Sequence, residues 1–211
     1  MDVVALGELL IDFTENGISS QGNPLFEANP GGAPCNVLAM LTKLGHKTAF
    51  IGKEENDFFG KQREQTIMEV GIDASGLQKD DDVHTTLALV HTYPDGDRDF
   101  SFYRNPGADM MLNKTEVQAE LIKETKIFHF GTLSMTHEGV REATKEAIRI
   151  AEESGAVISF DPNLRPPLWN SLDEAKEQVL YGLAHCHILK ISDNEIQWLT
   201  GEEDYTAGVN W

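Results

Sequence analysis

Short apolar runs alternate with segments of helical periodicity over most of the chain, and this alternation limits the folds open to it. The run Val3–Leu6 ends at a glycine, as expected of a buried parallel strand. Residues 34–44 have proline in the first turn, glycine directly afterwards and an apolar face that includes Val37 and Leu44, which predicts a helix. Strands that alternate with helices predict an α/β fold, in which helices cover both faces of a parallel sheet.

Two segments interrupt this alternation. Residues 9–29 show no helical period, and residues 83–104 contain two alternating strands joined by a turn at residues 94–97. These segments predict a second, small sheet, which is either a lid over a crevice or a surface hairpin. The aromatic residues and the arginine at its end favour the lid.

The charge balance and the cysteines exclude several classes of partner. With 17 basic and 35 acidic side chains, the net charge is −18, which disfavours binding to nucleic acid or to anionic membranes. Cys35 and Cys186 form no CxxC pair, which argues against a disulfide framework or a zinc site and fits a reducing cytoplasm. The cysteine usage leads us to expect a cytoplasmic protein. No apolar stretch approaches the ~18 residues that a spanning helix needs.

The glycine pair at the start of the first predicted helix is the strongest local motif. Gly31 and Gly32 allow a ligand to approach the backbone closely, and a helix N-terminus offers free N–H groups. Asn36 supplies both a donor and an acceptor, which suits a hydroxyl-rich ligand. Asp12 follows the first strand, at the end of a sheet where ligands bind in open α/β folds. An ordinary tight turn and a surface aspartate remain the alternative interpretation.

Polar groups also follow two later strands. Asn163 and Arg165 stand in a proline-rich loop, where the arginine can bind an anion or a phosphate in transfer. Lys190 precedes a helix at which Ser192 and Glu195 form a capping box, and this box explains the latter pair without a function. The sequence contains no GxGxxG, P-loop or GxSxG motif, which disfavours a Rossmann dinucleotide site, a P-loop enzyme and a serine hydrolase.

These segments, taken in order, resemble those of the ribokinase-like (PfkB) carbohydrate kinases, and most closely the fructokinases. The resemblance covers essentially the whole chain, and the run Tyr103-Arg104-Asn105-Pro106 is the part that most suggests a fructokinase. The matching segments are residues 7–12, 31–37, 98–109, 161–165 and 190–195.

The resemblance implies a three-layer domain over residues 1–211, with lid segments at 9–30 and 83–106. It also implies transfer of the γ-phosphoryl group of ATP to a hydroxyl of fructose, with Mg²⁺ and, as an option, a monovalent cation. Arg165 matches a position close to both the sugar and the transferred group, and Glu195 one that organises Mg²⁺ through water. The implied sugar contacts are Asp12, Gly31, Gly32, Asn36, Phe102, Arg104 and Arg165. The implied nucleotide contacts are Asn163 and Lys190. Ser192 replaces the asparagine of the family's Asn-x-x-Glu motif.

The family's catalytic base lies in a Gly-Ala-Gly-Asp segment, which this sequence does not contain. We therefore expect a C-terminally truncated kinase without appreciable activity, whose base would lie beyond Trp211. Two alternatives stay open. Arg104 and Arg165 can also face a substrate carboxylate, as in a kinase for 2-keto-3-deoxygluconate or another sugar acid, and a non-catalytic sugar-binding protein needs no base. The resemblance also implies that two lids can pair in a homodimer, since unpaired strand edges seek partners.

Overall fold

The computed structural model describes residues 1–93 and 98–210, with Arg98 described by its backbone alone. The predicted turn at residues 94–97 lies outside the described residues. Among these residues, no helix combines the length and apolar character needed to cross a bilayer. The strands are β1 (Val3–Leu6), β2 (Leu10–Ile18), β3 (Pro24–Gly31), β4 (Thr48–Glu55), β5 (Asp73–Asp80), β6 (Leu87–Thr92), β7 (Arg98–Tyr103), β8 (Ile127–Gly131), β9 (Val157–Asp161) and β10 (Ile188–Leu189). The α-helices are α1 (Ala33–Lys43), α2 (Phe58–Val70), α3 (Ala119–Lys123), α4 (Glu138–Ser154), α5 (Leu172–His185), α6 (Asp193–Thr200) and α7 (Tyr205–Val209).

The main sheet has six parallel strands in the order β10-β9-β8-β1-β4-β5, which confirms the predicted fold class. The chain adds strands on one side of β1 first and then on the other. The strand order therefore reverses between β1 and β8, whose carboxyl ends lie side by side. Such a reversal opens a crevice beyond the sheet, the usual place for a ligand in this architecture.

The two faces of β1 show why the sheet is covered on both sides. Val4 and Leu6 point into a core that also contains the apolar residues of α4, whereas Val3 and Ala5 point into a core shared with α1. Successive strand residues face opposite sides, so a strand that is apolar at every position needs helices on both faces. The continuous apolar run in the sequence therefore predicts that both faces of the sheet are covered.

The second sheet has four strands in the order β3-β2-β6-β7. It is built from residues 10–31 and 87–103, the two segments that interrupt the alternation of strands and helices. Strand β2 pairs with β3 in antiparallel fashion and with β6 in parallel fashion, and Asp12 stands opposite Asn29 and Ala88. The pairing therefore joins two segments that are far apart in sequence into one small sheet.

The structure differs from the sequence-based expectation in two details. Strand β5 was not predicted, because an edge strand with the sequence DASGLQKD is mostly half-buried and carries no apolar run. On α1, Val37 and Leu44 are exposed, and the buried face consists of Pro34, Cys35 and Leu38. The buried residues of α1 therefore lie in its first two turns, while Leu44 already follows the last helical residue.

Candidate active site

A cavity of about 300 Å³ lies between the small sheet and the carboxyl ends of the main strands. Its volume is at the lower end of the range for small-molecule sites. Six of the predicted site residues line it: Asp12, Gly32, Asn36, Phe102, Asn163 and Arg165. The remaining lining residues are Glu8, Leu10, Thr14, Ala33, Val90, Phe100 and Leu133. The structure thus brings together residues from four separate segments of the sequence.

The glycine pair is required by close contacts in the loop before α1. Gly32 has a φ of +125°, and a Cβ atom built on it would lie 2.4 Å from the carbonyl oxygen of Glu8. Gly31 pairs with Leu10 of β2, and a Cβ atom on Gly31 would lie 2.3 Å from Oδ2 of Asp12. Gly31 therefore acts through Asp12, whereas Gly32 itself borders the cavity.

Glu8 is a site residue that the sequence interpretation did not single out. It follows β1 closely, is only 3% exposed and lines the cavity. Its Oε1 accepts a hydrogen bond of 2.8 Å from the backbone N–H of Ala33. Burial raises the pKa of Glu8 from its usual 4.5 to about 7, against the opposing effect of hydrogen bonds from backbone N–H groups. An acidic residue directly after a buried strand was the available signal.

Aromatic side chains of β7 form the wall opposite this loop. The rings of Phe100 and Phe102 stack with centroids 5.9 Å apart. The guanidinium carbon of Arg165 lies 5.5 Å from the centroid of Phe100, in a cation–π contact between the loop after β9 and the small sheet. Arg165 thus connects the two sheets at the edge of the cavity.

Arg104 lies in a buried polar network behind this wall. Its Nε donates to Oδ2 of Asp109 at 2.8 Å, its Nη1 to Oγ1 of Thr136 at 2.8 Å, and its Nη2 to the carbonyl oxygen of Leu133 at 2.9 Å. Thr86 donates to the other oxygen of Asp109 at 2.5 Å. We call these five residues the Arg104 network. It joins the ends of the small sheet to the loop after β8, and the implied role of Arg104 as a sugar contact stays a prediction.

A second cavity of about 470 Å³ contains two of the remaining predicted residues. Lys190 and Glu195 line it, and it shares Asn163 and Arg165 with the first cavity. Lys190 Nζ pairs with Oδ2 of Asp161 at 3.2 Å. Asn163 adopts a φ of +44°, a backbone conformation that asparagine tolerates better than most residues. The shared residues place the two cavities side by side.

Glu195 is the residue implied for Mg²⁺. Its Oε1 accepts from Leu164 N at 2.7 Å, and its Oε2 accepts from the backbone N and the Oγ of Ser192 at 2.9 and 2.7 Å. The predicted capping box is therefore present. No group of three or more acidic, histidine or cysteine side chains able to hold a metal occurs among the described residues. Mg²⁺ commonly binds through one or two carboxylates plus substrate phosphates, so a single oriented carboxylate fits it.

The fold places two adjoining cavities beyond a parallel sheet whose strand order reverses, and a second, small sheet borders the first of them. Residues 1–210 match the model of the pfkB family carbohydrate kinases, and the chain belongs to that family.

Comparison with known proteins gives more specific similarities. The chain is 42% identical over 214 residues to probable fructokinase-2 of Arabidopsis thaliana and 44% identical over 214 residues to fructokinase-2 of Solanum lycopersicum. Each alignment covers 99% of this chain and 65% of the relative, so the chain spans about two thirds of their length. The crystal structure of a fructokinase with bound ATP from Xylella fastidiosa superposes with a TM-score of 0.89 at 31% identity, covering 99% of this chain and 67% of that one.

Proposed function

We propose that this chain provides the sugar-binding part of a fructokinase, an enzyme that transfers the γ-phosphoryl group of ATP to a hydroxyl of fructose. The observation that carries the proposal is the convergence of Asp12, Asn36 and Arg165 on one cavity that adjoins a second one through shared residues. The similarity to fructokinases of plants and of Xylella fastidiosa supports fructose as the acceptor and ATP as the donor.

In this proposal each cavity holds one substrate. Asp12 and Asn36 bind sugar hydroxyls, because a carboxylate accepts and an amide both donates and accepts hydrogen bonds. Arg165 lies at the boundary of the cavities, where its charge stabilises the phosphoryl group in transfer. Phe100 and Phe102 exclude water, which otherwise competes with the sugar as acceptor.

The nucleotide side of the site is proposed from the second cavity. Asn163 and Lys190 contact the phosphates of ATP, and Glu195 holds Mg²⁺ through water. When bound, Mg²⁺ neutralises phosphate charge. Because the 211-residue sequence contains no Gly-Ala-Gly-Asp segment, we further propose that this chain binds the sugar without appreciable turnover.

Sugar binding by Asp12 is the direct test of the proposal. We expect fructose to bind the 211-residue chain in calorimetric titrations and Asp12→Ala to weaken this binding by about tenfold to 100-fold, since a hydrogen bond to a charged group contributes about 1.5–3 kcal/mol. Asp81→Ala, which removes an exposed aspartate at a distance from both cavities, is the control. Tighter binding of 2-keto-3-deoxygluconate than of fructose would favour a sugar-acid kinase. ADP release at the rate of an intact relative would contradict the proposed lack of turnover.

The contact between Gly31 and Asp12 gives a second test. A methyl group at Gly31 would lie 2.3 Å from Asp12 Oδ2 and 3.0 Å from Leu10 Cδ1, so these two side chains must shift to make room. We therefore expect Gly31→Ala to weaken fructose binding by about tenfold while changing the melting temperature little. Gly139→Ala is the matched control, because its nearest neighbours would lie at 3.8 Å, an ordinary contact. Unchanged fructose affinity in Gly31→Ala would argue against Asp12 as a sugar contact.

Two further aspects remain proposals. The small sheet carries exposed apolar residues, including Ile18, Leu25 and Tyr103, which supports a homodimer that pairs through the lid. Both cysteines are free thiols, which supports a reducing, cytoplasmic setting.

A further inference from the structure

The N-terminus of α1 is capped by a residue from outside the helix. Its N-cap residue is Gly32, which has no side chain to cap with, and Pro34 in the first turn has no N–H. Helices usually begin with Ser, Thr, Asp or Asn, whose side-chain oxygen accepts from the first free N–H groups. Here the carboxylate oxygen of Glu8 takes that place by accepting from Ala33 N at 2.8 Å.

Glu8 also contacts the same loop with its backbone. Its carbonyl oxygen lies so close to Gly32 that a Cβ atom there would approach it to 2.4 Å. One turn further along, Asn36 N donates to the carbonyl oxygen of Gly32 at 3.0 Å. The position of Asn36 therefore depends on that of Gly32, because the two are joined by the first hydrogen bond of the helix. Glu8 therefore contacts this loop through both its carboxylate and its backbone carbonyl, and the residue is only 3% exposed.

We propose that Glu8 is a positioning residue for sugar binding, whose carboxylate fixes the N-terminus of α1 and thereby places Gly32 and Asn36 for the sugar. This inference rests on the proposed function of the cavity. A carboxylate accepts a stronger hydrogen bond than a neutral group does, and the positive end of the helix dipole adds to it. The ionised form of Glu8 therefore holds the loop more firmly than the protonated form.

Several charged groups surround this carboxyl. Asp109 disfavours the ionised form of Glu8 and Arg104 favours it. Burial and the charge of Glu8 raise the pKa of the Cys35 thiol on α1. Asp12 and Arg165 line the same cavity from the small sheet and from the loop after β9. Because the pKa of Glu8 is about 7, its charge changes within the range in which the protein can be studied. A pH profile of sugar affinity therefore reports on this residue.

The first experiment compares fructose affinity from pH 5.5 to 8.5 in wild type and Glu8→Gln, measured by calorimetry. The glutamine keeps the shape and an oxygen acceptor but cannot ionise. We expect wild-type affinity to rise by about fivefold across this range and the Glu8→Gln affinity to stay flat at the wild-type value of low pH. Glu27→Gln, an exposed residue of β3, should keep the wild-type profile. A Glu8→Gln profile that follows wild type would overturn the proposal.

The second experiment needs no sugar and so separates this inference from the proposed function. Amide hydrogen exchange by NMR should show Ala33 N–H exchanging about tenfold faster in Glu8→Ala than in wild type, because its acceptor is removed. Where Glu8→Ala does not fold, Glu8→Gln should show a smaller acceleration at pH 8.5 only. Unchanged exchange of Ala33 in these variants would refute the positioning role. Absence of fructose binding in wild type, with accelerated exchange in the variant, would instead refute the sugar site.

Discussion

Replacing Arg104 with alanine should lower the free energy of unfolding by about 3–5 kcal/mol, the range measured when one partner of a buried ion pair is removed. The side chains of Arg104 and Asp109 are 1% and 2% exposed, so water cannot compensate the charge left on Asp109. Thr136 Oγ1 and the carbonyl oxygen of Leu133 each lose the hydrogen bond from Arg104 at the same time, although Leu133 keeps the one from Thr136. Because the Arg104 network joins the small sheet to the loop after β8, its loss should also loosen the wall of the cavity.

Urea unfolding followed by tryptophan fluorescence measures this effect. Arg149→Ala is the matched control, because Arg149 pairs with Glu146 and Glu153 on the exposed face of α4, where ion pairs contribute little. We expect Arg149→Ala to unfold at nearly the wild-type urea concentration. A loss below about 1 kcal/mol in Arg104→Ala would show that the network does not hold the small sheet in place.

The same pair shows what the sequence could not reveal. Arg104 and Asp109 were visible as charged residues in a motif that resembles a sugar-binding segment. Whether an arginine in such a segment faces a ligand or a neighbouring aspartate depends on how the chain turns between them. That turn brings together Thr86, Leu133 and Thr136, which are distant in sequence. Tertiary contacts of this kind leave no periodic signal.

The main sheet was predictable because burial leaves a strong pattern. Val3–Leu6 reads as an apolar run, since parallel strands that are covered on both faces favour apolar residues at every position. β5 left no such pattern because it lies at the sheet edge. The glycine loop was predictable for a different reason: the φ of +125° at Gly32 strains any other residue, and a side chain at Gly31 would displace Asp12.

Glu8 is a site residue that the sequence pattern did not reveal. In the sequence, a carboxylate next to a buried strand looks like a break in an apolar run. The sequence does not show that Glu8 is only 3% exposed or that it is hydrogen-bonded to Ala33. Its position follows from the packing of α1 on the main sheet, which brings the start of α1 against the end of β1. The tertiary fold therefore determines the burial of Glu8, and this burial raises its pKa.

That environment makes the stability of the fold depend on pH between about 4.5 and 7. The pKa of Glu8 is raised from 4.5 to about 7 by burial, so over this interval the folded protein holds a proton that the unfolded chain releases. Because the native state binds more protons, stability must fall as the pH rises through this range and then level off. Between pH 5 and 8 the expected loss from Glu8 is about 2–3 kcal/mol.

Urea unfolding of wild type and Glu8→Gln at several pH values isolates this contribution. Burial lowers the pKa of His129, which makes stability rise with pH and so opposes the effect of Glu8, but this contribution is common to both proteins and cancels in the difference. Asp2 and Glu146, whose pKa values are lowered to about 2 by their basic partners, matter only below the interval. The stability of Glu8→Gln relative to wild type should therefore increase by about 2–3 kcal/mol from pH 5 to 8. A difference that does not change with pH would mean that Glu8 ionises in the folded protein as readily as in water, and that its hydrogen bond to Ala33 N fully offsets its burial.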